Sequence, residues 1–177
     1  LHGEVHNGLP LEPEDIMRVL ACLPLIAIGC AAPTTEIVGD VAGEQFNEIG
    51  TSYFGGPFLV FADEEIDCLD AYWVTRNYTS GMPVHDGFEQ DFLAMQFAFS
   101  GDGLLEGQFN VAGEAQVASK LLVQRNGILE EFRGRGGNLF IDTLDEDAVT
   151  GTIEITFDDG EMSGTFHAEH CVNLKDN

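Results

Sequence analysis

Three short stretches of the chain share one pattern. "LEGQFNV" at 105–111, "VTGTIEI" at 149–155 and "MSGTFHA" at 162–168 each run apolar, polar, glycine, polar, apolar, polar, apolar. Strict alternation sends successive side chains to opposite faces, which marks a half-buried strand. Gly107, Gly151 and Gly164 fall on the apolar phase. Each should therefore face inward, with a large side chain or another backbone packed over it. Acidic turns lie between such stretches: "SGDG" at 100–103, "DEDA" at 145–148 and "DDGE" at 158–161, after "LAMQFAF", "NLFIDTL" and "IEITF". Asp-Gly and Gly-Asp pairs suit the positive φ that hairpins require. The pattern predicts one hairpin over 92–111 and a three-stranded meander over 138–170.

Further strands are expected at "PFLVFAD" (57–63) and "AYWVTRNYT" (71–79), and a first one at "EIVGD" (36–40). In "QVASKLLVQRNGILEEFRG", Val117, Leu121 and Val123 alternate, and Asn126-Gly127 is a strong hairpin turn. Val117, Leu121 and Leu122 would also suit a short helix, but the turn favours two strands. The copies are too few and too closely spaced for a solenoid or propeller. Seven to nine short antiparallel strands point to an all-β protein, an antiparallel β-sandwich with hairpin and meander connections. A closed antiparallel β-barrel is the alternative.

Composition agrees. Glycine occurs 21 times in 177 residues, against a usual share of about 7%, as a chain with many tight turns would need. The length allows one domain with a real core. The net charge of −24, from 31 acidic against 7 basic residues, repels phosphate backbones and anionic surfaces. Nucleic acid is therefore excluded as an expected partner.

The stretch "MRVLACLPLIAIGCAAP" at 17–33 departs from this picture. Met17 and Arg18 form a short positive region, and Val19 to Gly29 an apolar run of signal-peptide length. The run is too short for a transmembrane helix, which needs about 20 apolar residues, and Pro24 argues against an ordinary helix interior. It ends Ala27-Ile28-Gly29-Cys30. This ending resembles the lipobox of bacterial lipoprotein precursors, an apolar residue and two small ones before a cysteine. Ala27 stands where that family usually has Leu, and Ile28 is also less usual. The resemblance covers residues 17–33 alone. It implies diacylation of the Cys30 thiol, cleavage before Cys30 and acylation of the new amino group. It also implies export to the bacterial cell envelope, with the lipid anchoring the protein at the outer membrane. Without processing, the same run reads as a buried apolar segment with a core cysteine.

On that reading residues 1–16, "LHGEVHNGLPLEPEDI", are an upstream extension from a misplaced start, with four acids and no Lys or Arg. Residues 17–29 are the signal peptide, 30–50 the lipidated cysteine and a short tether, and 51–177 a single β domain. Removing four acids and one arginine from the totals leaves −21 from Cys30 onward. Of the four cysteines, Cys22 leaves with the signal and Cys30 takes lipid. Cys68 and Cys171 remain, and in an oxidising compartment they should pair.

The remaining candidates for chemistry are weaker. In "HAEHC", His167 and His170 are three apart and so fall on opposite faces of a strand, a poor start for a zinc site. His85 in "GMPVHDG" has no Gly-x-Ser-x-Gly elbow to serve. Arg133 and Arg135 in "RGRGG" read as internal salt-bridge partners. Two acid clusters stand out: "DEEIDCLD", with Asp63, Glu64, Glu65, Asp67 and Asp70, and "DTLDED", with Asp142, Asp145, Glu146 and Asp147. Solvated turns are their default reading. Calcium is the alternative, with Asp63, Glu65, Asp67, Asp142, Asp145 and Asp147 as candidate ligands, although neither cluster has EF-hand spacing. No other cofactor is implied.

Three functions from different classes follow. The favoured one is a lipid-anchored envelope module that binds or scaffolds without catalysis, its partner an envelope protein or polysaccharide. The second is a lipid-anchored barrel carrying a small apolar ligand. The third is a carboxylate-based hydrolase.

Overall fold

The computed structural model describes residues 34–47, 49–80, 91–101, 103–111, 116–126 and 128–176. The signal-like run, Cys30 and His85 lie outside the described residues. The chain from residue 34 onward is mostly β. Eleven strands occur among the described residues: β1 (Glu36–Val41), β2 (Glu44–Phe46), β3 (Thr51–Gly55), β4 (Phe58–Ala62), β5 (Phe92–Phe99), β6 (Gly107–Asn110), β7 (Val117–Arg125), β8 (Ile128–Arg133), β9 (Gly136–Leu144), β10 (Ala148–Phe157) and β11 (Gly160–His170). One helix, α1 (Cys68–Ser80), follows β4, and a 3₁₀ turn, Val172–Asp176, follows β11.

Nine strands form one continuous sheet in the order β6-β9-β10-β11-β3-β4-β5-β7-β8. The sheet is mixed and strongly curled, a half-barrel. The strands do not divide into two packed sheets, so the expected antiparallel sandwich is not what forms, and the sheet is not a closed barrel either. The departure arises at β11. Its free edge pairs antiparallel with β1 along Gly160–Thr165, then parallel with β3 at Glu169 and His170. The backbone of His167 falls between these two partners. The Thr35 hydroxyl fills the gap, accepting from the His167 amide (3.0 Å) and donating to its carbonyl (2.8 Å). Both main-chain groups are thus satisfied where the sheet branches.

The expected meander is present, as β9, β10 and β11. So are the strands at 36–40 and 57–63 and the β7–β8 hairpin, where Asn126 takes φ 52°. The inward glycine expectation holds at two of three positions. A Cβ on Gly151 would lie 2.0 Å from the Phe140 carbonyl oxygen and 2.6 Å from the Phe166 ring. One on Gly164 would lie 1.9 Å from the Glu36 carbonyl oxygen, so β1 packs against it. Gly107 has nothing within 4 Å.

Two expected elements are corrected. Residues 92–111 are not a hairpin: β5 pairs with β4 and β7, while β6 pairs with β9. Between them, Leu104 is buried in the core inside the curl. Residues 71–79 are not a strand but the body of α1. Asp67 caps that helix, its Oδ1 accepting the amides of Leu69 and Asp70, both at 2.8 Å, a local bond that favours helix initiation. Ala71, Val74 and Thr75 then form a fully buried stripe.

The core has two layers. Inside the curl lie Phe46, Phe61, Phe97, Phe166, Leu139 and Ile155, with inward residues of the other strands. On the outside of β4, β5 and β7 a second cluster forms, in which Val60, Ala62, Ala94 and Leu122 lie under Ala71 and Val74 of α1. Strand β4 is therefore buried at every position. The Cys68–Cys171 disulfide ties the start of α1 to the end of β11, with Cα atoms 5.5 Å apart. No helix among the described residues is long and apolar enough to cross a membrane.

Candidate functional site

Two acids of the first cluster, Asp63 and Asp67, hold the fold. Asp63 accepts the Leu93 amide at 2.7 Å and so extends the β4–β5 ladder past its end. Burial raises its pKa; the Leu93 bond pulls the other way and repulsion from Glu64 adds to the rise. Asp67 is the helix cap described above. Asp70 is also raised, first by burial and then by Asp67. Glu65 lines a cleft with Thr34, Ser52, Tyr53 and His167.

The second cluster splits. Asp142 has no partner in the β9–β10 register, because Gly151 pairs with Ile141 while Thr150 pairs with Thr143. It is the extra residue of a bulge, which bends a strand. Asp145 folds back on its own turn, accepting the amides of Ala148 (2.7 Å) and Asp147 (2.8 Å). Those bonds, Ala148's the larger, lower its pKa. Asp145, Glu146 and Asp147 line a rim pocket of about 600 Å³ with Phe54, Gly55 and His170. His167 and His170 thus line different pockets. Among the described residues no three His, Cys, Asp or Glu side chains converge as a metal site. Of the two "RGRGG" arginines, Arg135 pairs with Asp158 through two nitrogens, Nε at 2.9 Å.

A site the motifs do not flag lies on the outer face of β6, β9, β10 and β11. A pocket of about 440 Å³ there is lined by Gln108, Asn138, Phe140, Thr152, Glu154 and Ser163. Alternation builds it. Leu139 and Ile141 enter the core from β9, so Asn138 and Phe140 must point out; Ile153 and Ile155 do the same for Thr152 and Glu154 on β10. The register then lays Gln108, Phe140, Thr152 and Thr165 in one cross-strand row. Asn138, Glu154 and Ser163 form the next row. Gln108 Nε2 donates to Asn138 Oδ1 at 2.9 Å, which links the two rows. Phe140 is 41% exposed. The face offers an apolar ring, two amides, several hydroxyls and a carboxylate, all on paired strands. Such a set can hydrogen-bond and stack. The legible signal was an aromatic residue on the polar phase of "NLFIDTL".

Comparison of the chain with protein-family models, with curated proteins and with solved structures gives no match.

Proposed function

We propose that the protein is a lipid-anchored module of the bacterial cell envelope that recognises a partner on its outer surface, without catalysis. The observation that carries this reading is the filled interior of the curled sheet. Phe46, Phe61, Phe97, Leu139 and Ile155 occupy it and are all below 2% exposed. A core packed with aromatic rings favours recognition outside the curl over carriage of an apolar ligand within it. Two features favour the envelope. The run ending at Cys30 resembles a lipobox, and the Cys68–Cys171 disulfide suits an oxidising compartment. The net charge of −24 weighs against nucleic acid as the partner. The finer reading of the fold is an open relative of a closed barrel, its curl completed by side chains.

The test is acylation. Expressed from Met17 in a bacterium fed labelled fatty acid, the protein should carry label, and Cys30→Ser should carry none. Label persisting in Cys30→Ser, or absent from the parent chain, overturns the anchor.

A further inference from the structure

We infer that the outer face of β6, β9, β10 and β11 binds an uncharged polysaccharide chain, an assignment that rests on reading the protein as a binding module. The first ground is the position of Phe140. Its neighbours Leu139 and Ile141 supply the core with the apolar contacts β9 needs, yet Phe140 keeps 41% of its surface in water. An aromatic ring in the middle of a polar face thus leaves much of its apolar surface unburied by the fold. It offers a flat apolar surface with a negative quadrupole face, which suits the C–H face of a pyranose ring.

The second ground is the chemistry around that ring. Gln108 and Asn138 hold each other through one amide hydrogen bond of 2.9 Å. That bond uses one donor and one acceptor position and leaves both side chains with further capacity for a ligand. Thr152 and Ser163 add hydroxyls that donate or accept, and Glu154 is an acceptor on the same face. Sugar hydroxyls need this mixture, because each both donates and accepts. All these groups stand on hydrogen-bonded strands, so no backbone has to order on binding, and the Gln108–Asn138 bond already restrains both amides.

Charge selects among glycans. Glu154 and Glu161 border the pocket, and among the described residues no Lys or Arg lines it. A uronate or phosphate polymer would meet repulsion with no cation to receive it. A protein partner is less well served, since interfaces centre on a larger desolvated apolar core than one ring. An extended uncharged chain, touching one ring and a row of amides and hydroxyls, matches the pocket and its surroundings.

The experiment is affinity electrophoresis of the full chain carrying Cys30→Ser, in native gels containing laminarin, xylan, galactomannan or alginate. At least one of the three uncharged polysaccharides should slow the protein, and alginate should not. Phe140→Ala should weaken that retardation at least tenfold in apparent Kd, and Gln108→Ala several-fold. Both residues are on the surface, and an unchanged urea midpoint shows that each variant is folded. No retardation by any uncharged polysaccharide, equal retardation by alginate, or retardation that survives both substitutions overturns the assignment. The acylation test reads the envelope anchor independently. A labelled protein with no glycan binding sinks this inference alone; an unlabelled one that binds glycan sinks the anchor alone.

Discussion

Phe99 and Phe109 meet edge to face, their ring centroids 5.1 Å apart and their planes at 90°. Their strands are not neighbours: β5 lies between β4 and β7, and β6 lies at the far end of the sheet beside β9. The contact is made through the interior of the curl. One isolated parallel bridge, Val111 to Val117, also brings β6 within backbone reach of β7. Side-chain packing across the interior therefore does much of what closure does in a barrel, and the stability of the domain should depend on contacts that hold the curl.

The disulfide is the first such contact to test. It closes a loop of 103 residues, and the chain-entropy model assigns a loop of that size about 4.7 kcal/mol. Cys68→Ala with Cys171→Ala is expected to lower the urea midpoint by the equivalent of about 2–5 kcal/mol. A reductant should act likewise on the parent chain. Free, alkylatable thiols in oxidised protein would contradict the pairing.

Gly151 sits where two strands and the Phe166 ring converge. Even the smallest side chain would place its Cβ 2.0 Å from the Phe140 carbonyl oxygen. Overpacking commonly costs about 1–3 kcal/mol, and a clash with backbone has less room to relax. Gly151→Ala is expected to fall at the upper end of that range in urea denaturation. Gly107→Ala, which meets no atom within 4 Å, should lose less; its φ of 128° still leaves some strain.

Acid should act oppositely on two aspartates. Burial raises Asp63 in the folded state, so the native state holds its proton more tightly than the unfolded chain. Its contribution to stability is greatest below the ordinary carboxylate value of about 3.9 and falls as pH rises through the raised value. Asp63→Asn keeps an acceptor for the Leu93 amide, and should raise Tm at pH 7. Asp145 is lowered by the amides of Ala148 and Asp147. The stability it supplies is present above the ordinary value and is lost as pH falls through the lowered one. Asp145→Ala should lower Tm at pH 7 and change it less at pH 2. Thermal melts of both variants across pH 2–7 check the two signs.

Salt should stabilise the parent chain. The net charge is −24, with two lysines, Lys120 and Lys175, in the whole sequence. Self-repulsion at that density opposes compaction, and screening reaches about 10 Å at 0.1 M. Sodium chloride is expected to raise Tm, with calcium adding little beyond magnesium at matched ionic strength. A large rise specific to millimolar calcium would turn the 63–70 or 142–147 carboxylates into a site.

The meander was legible because its information is local. Each of β9, β10 and β11 alternates over its own length, and Gly160 and the Asp158-Asp159 turn mark the hairpin between two of them. The partners of β5 were not legible. Its residues are apolar on both phases, because one face meets the core and the other meets α1, and such a strand has neighbours on both edges that no local pattern names. Gly101 and Gly103 supply positive φ for a crossing as readily as for a hairpin. The helix is hard to read in the sequence because Tyr72, Trp73, Val74 and Thr75 have strand propensities, and Asp67, which caps it, is one acid among several in "DEEIDCLD". The outer-face pocket depends on register across four strands, and only the out-of-phase Phe140 announced it.

The position of β11 bears on when the chain can fold. It is the last of the described strands in chain order, yet it pairs with β10, with β1, the first of them, and with β3 at the branch. The disulfide partner Cys171 comes directly after it. Until that segment is delivered, β1 and β3 lack the edge they share, and the core inside the curl stays open to water. Contacts so distant in sequence are slow to form and carry a high closure entropy. Folding of the curl therefore waits on β11: its arrival joins β1, β3 and β10 in one step, and only then can Cys171 lock the result to α1.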